Sequence, residues 1–419
     1  MNTNSQTHKK RSPLNRNFFG ALWHGAFLAF GVSLTQPTTV ISAFVAELTG
    51  STLLVGGFAT VLTVASVLPQ LFAARYIEPK PRKMPYLLTA IYLRVISWGL
   101  LAWFIYKIGD QQPITLAWIL VGMLVIFYAG GGLGNIPYTD IIGKIIPKDR
   151  RGTFFGGKGM LAGPLSVGAA FAARAILAKV DYPNNYALLF GLAAAGLAVA
   201  SIGFLVIKEP VATSVNRTIQ PWRTYWRQLH IASDRLKTLI IVQVLTGFSL
   251  MALPFYVVFA REQLNAPPDA VGWYLMAQIV GGVVSNIVWA RLVDHSGSKR
   301  MLFFCALTST LTPLLAIALG HLGWIYLLPV FFLAGATMGG RGVGFQSSLL
   351  DLAPPEERST YAGLNAVLTL PIAFFSLAAG WLLQYWSYSA LFLIAALFIG
   401  TGAVVIYRWG KDFSNSTID

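Results

Sequence analysis

The side chains able to do chemistry are few, and each stands in a long apolar stretch. Arg341 lies in Gly339-Gly340-Arg341-Gly342-Val343-Gly344, where glycines let a neighbouring helix come close around an obligatory charge. A guanidinium there suits charge-assisted hydrogen bonds to an anion, while snorkelling to the inner interface accounts for it without a ligand. Arg94 is the deepest cation; Arg174 and Lys158 stand nearer helix ends. Ser33, Thr35, Gln36, Thr38 and Thr39 surround Pro37, so they either hydrogen-bond a solute where proline opens the backbone or serve helix packing. His24 suits proton coupling or a hydrogen-bonded packing role, and a lone histidine with no partner nearby in sequence favours packing.

All 16 acidic residues fall in loops, tails or near the ends of apolar runs, with Glu47, Asp140, Glu262 and Asp351 closest to them. No carboxylate is placed for proton carriage at a midplane, although Asp140 or Asp351 at the edge could face an aqueous cavity. Enzyme signatures are absent: no HExxH, no GxSxG, no phosphate loop and no paired Cys-x-x-Cys. Gly130-Gly131-Gly132-Leu133-Gly134 lies in an apolar run without a strand-turn-helix unit, which favours close helix packing over dinucleotide binding. A single cysteine, Cys305, excludes an internal disulfide and a thiolate metal cluster. The expectation is no enzyme, no cofactor and no metal.

These residues must be positioned by membrane helices. The 419 residues are 55% apolar and only 11% charged, against roughly 25% in soluble domains. A crossing takes about 20 apolar residues as a helix, because backbone groups cannot go unpaired in hydrocarbon. Twelve segments qualify: Phe18 to Val45, Thr52 to Ala74, Tyr86 to Tyr106, Ile114 to Thr139, Thr153 to Ala178 and Tyr186 to Ile207, then Thr238 to Ala260, Ala270 to Ala290, Met301 to Gly320, Trp324 to Leu350, Tyr361 to Leu383 and Ser387 to Tyr407. The class is an all-α membrane protein of two pseudo-symmetric six-helix bundles. The divisions are a basic tail 1–17, a bundle 18–207, a linker 208–237, a bundle 238–407 and a tail 408–419.

There are 31 basic residues. Most fall in the tails, the linker and alternate connections, which places both termini in the cytoplasm and accounts for the positive balance without nucleic acid. In the linker, Trp222, Tyr225, Trp226 and Leu229 recur at helical spacing among Arg223, Arg227 and His230, as in a helix lying on a membrane surface.

The chain also repeats itself. Laying Pro147 on Pro354 pairs Asp149 with Glu356, Arg151 with Arg358, Thr153 with Thr360, Phe154 with Tyr361 and Gly156 with Gly363. Likewise Arg75-Tyr-Ile-Glu78 with Arg82 and Lys83 echoes Arg291-Leu-Val-Asp294 with Lys299 and Arg300.

Six plus six helices, the long linker and these basic hinges resemble the major facilitator superfamily of secondary transporters, over about Asn17 to Trp409. The family's hinge signature looks like Glu78, Arg82 and Lys83 here, with Glu for Asp and with Pro79, Pro81 and Pro85 where glycine is usual. The resemblance implies a gate in which Glu78, Arg82, Lys83, Asp294, Lys299 and Arg300 pair at the cytoplasmic ends of helices, with Asp140, Arg151, Asp351 and Arg358 as partners. Gly159-Met-Leu-Ala-Gly163-Pro164 is similar to the antiporter motif of drug exporters, with Val167 where a further glycine is expected. The fourth segment lacks the exporters' arginine, Ile126 standing near its place. By analogy the first, fourth, seventh and tenth helices line the cavity, making Gln36, Tyr128, Asn135, Gln243, Tyr256 and Arg341 candidate substrate contacts; Arg94, on a normally peripheral helix, falls to gating or packing.

The expectation is a monomeric transporter in a bacterial-type cytoplasmic membrane. It moves a small organic solute outward by alternating access, with a proton or other coupling ion, and His24, Asp140 and Asp351 are the proton candidates. The alternatives are an importer or facilitator of a small, anionic metabolite and, remotely, a membrane-embedded enzyme or sensor.

Overall fold

The computed structural model describes the backbone of residues 6–77, 80–109, 111–147, 150–210, 234–352, 361, 365 and 368–414. Glu78, Arg358, the side chain of Arg151 and the amphipathic stretch at 222–230 lie outside the described residues.

The described chain is helical throughout. Helix α1 (Gln6–Leu34) leads into a π-helical turn, Pro37–Ile41, and α2 (Ser42–Thr49); then come α3 (Thr52–Ile77), α4 (Met84–Ile108), α5 (Pro113–Ile145), α6 (Arg151–Lys179) and α7 (Asn184–Val206). After the linker follow α8 (Asp234–Gln263), α9 (Ala270–Gly320), α10 (Leu328–Leu352), a 3-10 turn Leu370–Phe374 with α11 (Phe375–Leu382), and α12 (Tyr388–Ser414). Among the described residues ten helices are long and apolar enough to cross a membrane, and Leu370–Leu382 is a shorter apolar one.

Two departures from the sequence expectation have local causes. The first segment is broken rather than continuous, because Pro37 cannot donate to the preceding turn; the Ser42 hydroxyl donates to the Pro37 carbonyl at 2.8 Å. The eighth and ninth segments, by contrast, are two helices that meet at the hinge, where Gly297 leaves the helical region at φ 79°. Helix α5 runs past Thr139 to Ile145, since Ile141, Ile142 and Ile145 continue its buried face. Asp140 and Lys144 therefore stand on a helix, four residues apart, rather than in a loop.

By backbone contact the chain divides into two compact units, Met1–Gln36 with Val61–Ile219, and Pro37–Thr60 with Gln220–Asp419. In the first, α1 packs on α6 and α7, and α4 on α5 and α7. A side chain at Gly203 would run into the Gly20 carbonyl, so these glycines set the approach of α1 to α7. Asn17 ties the same helices by donating to the Lys208 carbonyl and accepting its N–H, each at 3.0 Å. The core at one end joins Ala21, Leu87, Ile141, Ile145, Phe154 and Phe204.

In the second unit, α9 lies along α10, and α8 packs on α12. Gly281 and Gly335 face the Phe332 and Gln278 carbonyls so closely that neither has room for a Cβ. The segment 37–60 docks on this unit by polar contacts. Gln278 Nε2 donates to Thr38 at 2.8 Å, Thr60 donates to the Ala373 carbonyl at 2.8 Å, and Arg261 pairs with Glu47 at 3.4 Å.

Candidate functional site

The hinge before α4 carries the densest charge cluster in the described residues. Lys83 Nζ lies 3.1 Å from Asp140 Oδ2, and Lys144 Nζ lies 2.6 Å from the same oxygen and 3.2 Å from Glu209 Oε1. Glu209, just beyond α7, also accepts the backbone N–H groups of Lys83 at 2.9 Å and Met84 at 2.8 Å, so an anion caps the exposed donors at the start of α4. The Glu209 side chain is only 5% exposed, and so buried a carboxylate is held by these donors as much as by Lys144. Arg82 is exposed beside the cluster.

The second unit repeats this plan with fewer charges. At the bend in α9 the Ser298 hydroxyl donates to Asp351 Oδ2 at 2.7 Å, near the end of α10. In each half, then, a hinge residue reaches an acid near the end of the fourth crossing. Asp294 and Arg300 are exposed and Lys299 is half-buried.

Arg341 is enclosed within the second unit. Nη1 donates to the Thr246 hydroxyl at 2.6 Å, Nη2 reaches the Gln243 carbonyl at 3.5 Å, and the guanidinium lies 5.0 Å from the centre of the Phe345 ring. Thr246, Cys305, Ser309 and Phe345 pack so closely around it that no water-sized space is left beside the guanidinium. The Thr246 hydroxyl donates in turn to the Val242 carbonyl, so no polar atom of that residue depends on Arg341 alone.

Arg94 lies on the buried face of α4, in step with Leu87, Ile91, Trp98 and Leu101. Its guanidinium carbon stands 4.3 Å above the Phe127 ring, and Phe127 in turn stacks on Trp98 at 3.9 Å. Gly130 leaves room on α5 for the Arg94 stem, whose Cγ stands 3.0 Å from where a Cβ would be. The Arg94 Nε is shut away from solvent without a hydrogen-bond partner. A cation–π contact contributes about 0.5 to 2 kcal/mol. Desolvating an unpaired ion costs several kcal/mol, so the ring alone does not offset it.

The same bundle holds a second cation, Lys158 on α6, which donates to the Tyr138 hydroxyl at 3.1 Å and lays its stem against Gly25. His24 sits among them, buried, with Nδ1 3.0 Å from the Ala200 carbonyl and its ring edge-on to Phe204.

Residues 239–418 match the sequence profile described as Major Facilitator Superfamily. Solved structures with the same fold include a variant of the nucleoside transporter NupG, at 14% identity and TM-score 0.72 over 93% of this chain and 98% of that one. They also include a D-xylose-proton symporter, at 15% identity and TM-score 0.72 over 94% and 98%. A bacterial homologue of the iron transporter ferroportin aligns at 14% identity and TM-score 0.68 over 95% and 98%. The second half thus carries the sequence profile of the superfamily, and the chain as a whole shares the fold of these transporters. Uncharacterised proteins of Mycobacterium bovis and Mycobacterium tuberculosis are 26% identical over 229 residues, 51% of this chain but only 43% of their own length.

Of the hinge residues named from the resemblance, the fold brings Lys83 and Asp140 together, while Arg82, Asp294 and Arg300 are exposed. Lys83 and Asp140 pair directly, and Glu209 joins them; the sequence reading passed over Glu209, although an acid immediately after Lys208 at the end of an apolar run was the available signal. Gln36 and Tyr128 are half-buried and Asn135 is exposed. Gln243 is buried, its carbonyl facing Arg341. Tyr256 sits in the core, its ring packed against Phe331 and Phe392, a packing position rather than an open one. In α6, which runs unbroken through Pro164, nothing stands within 4 Å of where a Cβ would be at Gly156, Gly159 or Gly168.

Proposed function

We propose that the chain is a secondary transporter that moves a small organic solute across a cytoplasmic membrane by alternating access, working outward. The observation that carries the reading is the hinge cluster of Lys83, Asp140, Lys144 and Glu209, echoed by Ser298 and Asp351. Ion pairs at helix ends, half-buried and few, are suited to a gate whose two states differ by about 1 to 3 kcal/mol. The superfamily fold gives the same direction of argument, since the solved proteins that share it carry nucleosides, xylose with protons, or metals by their names.

Outward movement is favoured by the likeness of Gly159 to Pro164 to the exporter motif, and import or facilitation is the second reading. Gln36, Tyr128, Asn135, Gln243 and Arg341 are the proposed solute contacts from the helices assigned to the cavity. His24, Asp140 and Asp351 are the groups to test for proton coupling. Both termini are assigned to the cytoplasm and the working unit to a monomer. No catalytic constellation supports an enzymatic reading.

The test is flux through the purified protein in liposomes, with and without an imposed pH gradient. Gradient-driven flux supports coupled transport. Flux indifferent to the gradient supports facilitation or another coupling ion, and solute turnover without movement would sink the transport reading. Arg341→Ala is expected to abolish flux while leaving folded protein, since the Thr246 hydroxyl keeps its bond to Val242.

A further inference from the structure

The π-helical turn Pro37–Ile41 packs on α8 and α9, and one of its hydroxyls takes both ends of a side-chain amide. Gln278 Nε2 donates to the Thr38 hydroxyl at 2.8 Å, and that hydroxyl donates to Gln278 Oε1 at 3.3 Å. A single hydroxyl thus occupies the donor and the acceptor of the amide together. Gln278 Nε2 also lies 3.3 Å from Met338 Sδ of α10. Gln278 is buried, Thr38 half-buried and Met338 exposed, so the group opens on the Met338 side. Glycine fixes the approach: Gly335, three residues before Met338, meets the Gln278 carbonyl with no room for a Cβ.

A second amide of α9 also lies against α10. Asn286 Oδ1 stands 2.6 Å from where a Cβ on Gly339 would be, beside Met338. Asn286 is exposed, and among the described residues no hydrogen bond engages its side chain. A bare amide on a membrane helix belongs against water or solute rather than hydrocarbon, which marks this face as wet. Thr38, Gln278, Met338 and Asn286 carry no charge, and π-helical turns occur often at functional sites.

We propose that Gln278 recognises the solute as a neutral molecule with a hydrogen-bond donor and acceptor side by side, a carboxamide or a heterocycle edge of the same pattern, and that this edge displaces the Thr38 hydroxyl. The proposal rests on the transport reading and names the class of solute for it. An amide answers such an edge with two hydrogen bonds, whereas a carboxylate only accepts and satisfies one of them. The Met338 thioether, polarizable and exposed, suits a flat ring attached to that edge. Thr38 is among the contacts holding the segment 37–60 on this unit, so binding the solute and releasing that contact are one event.

The site is tested on the full-length protein in detergent with benzamide, benzoate and N,N-dimethylbenzamide, by thermal shift and titration calorimetry. The three probes share one ring, and only benzamide presents both functions. Stabilisation by benzamide and by neither control is expected. Gln278→Met, close in shape, should weaken benzamide at least about tenfold. Thr38→Val removes the competing hydroxyl and should tighten benzamide about fivefold, a change of the sign that lost packing does not give. Where Gln278→Met does not fold, Thr38→Val carries the test.

No stabilisation by benzamide, equal stabilisation by N,N-dimethylbenzamide, or unchanged affinity in Gln278→Met overturns the site. So does Thr38→Val binding no tighter than the parent, and a preference for benzoate overturns the neutral class. Binding is read without a gradient, apart from flux. A protein that binds benzamide in this pattern and moves no solute would defeat transport and keep the site. Flux retained in Gln278→Met, with no benzamide binding in the parent, would defeat the site and keep transport.

Discussion

Glu209 shows how one side chain can hold several elements. It caps the start of α4 through two backbone N–H groups, pairs with Lys144 of α5, and follows directly on the end of α7. Glu209→Ala strands these donors in a nearly closed site, so it is expected to cost about 3 kcal/mol, combining a lost cap with a broken buried pair. Asp294→Asn, at an exposed position, should stay within about 0.5 kcal/mol. Chemical unfolding of the two purified variants measures the difference, and equal losses would show that the hinge cluster is not a structural tie. At this scale the sequence was only partly legible. The hinge residue Lys83 and the acid Asp140 could be named from their types, but their pairing needed α5 to run on past Thr139.

Among the elements, helix crossings are set by where backbone can meet backbone. Gly335 of α10 faces the Gln278 carbonyl of α9 with no room for a side chain, while Gly159 of α6 has open space around it. Gly335→Val is expected to lose about 1 to 3 kcal/mol or more through overpacking, and Gly159→Ala to leave the melting temperature nearly unchanged. If Gly159→Ala melts normally and yet stops flux, the glycine serves transport rather than packing. Sequence composition marks both stretches as glycine-rich. It does not say which glycine meets a neighbour, because that depends on the rotation of two helices about their own axes.

At the scale of the molecule, the segment 37–60 belongs by contact to the second unit although it comes early in the chain. Thr60 with the Ala373 carbonyl and Gln278 with Thr38 hold it there. If the segment swings away from this unit during the proposed transport cycle, these contacts open. Thr60→Val with Gln278→Leu is therefore expected to speed thiol labelling of a cysteine placed at Ser376, a buried position, in a background where Cys305 is alanine. Labelling no faster than in the parent would remove this segment from the gate.

Low charge and long apolar runs decided by themselves that the chain is a membrane protein, since a backbone without water must close its hydrogen bonds within helices. The repeated hinge residues carry the expectation of a two-part plan, because a duplicated chain would keep the residues at its turns. Folding alone decided that the first segment breaks at Pro37, that Glu209 joins Lys83, Asp140 and Lys144, and that Gln278 meets Thr38. Each of these depends on contacts between residues far apart in the chain, and no local periodicity encodes which faces of two helices will meet.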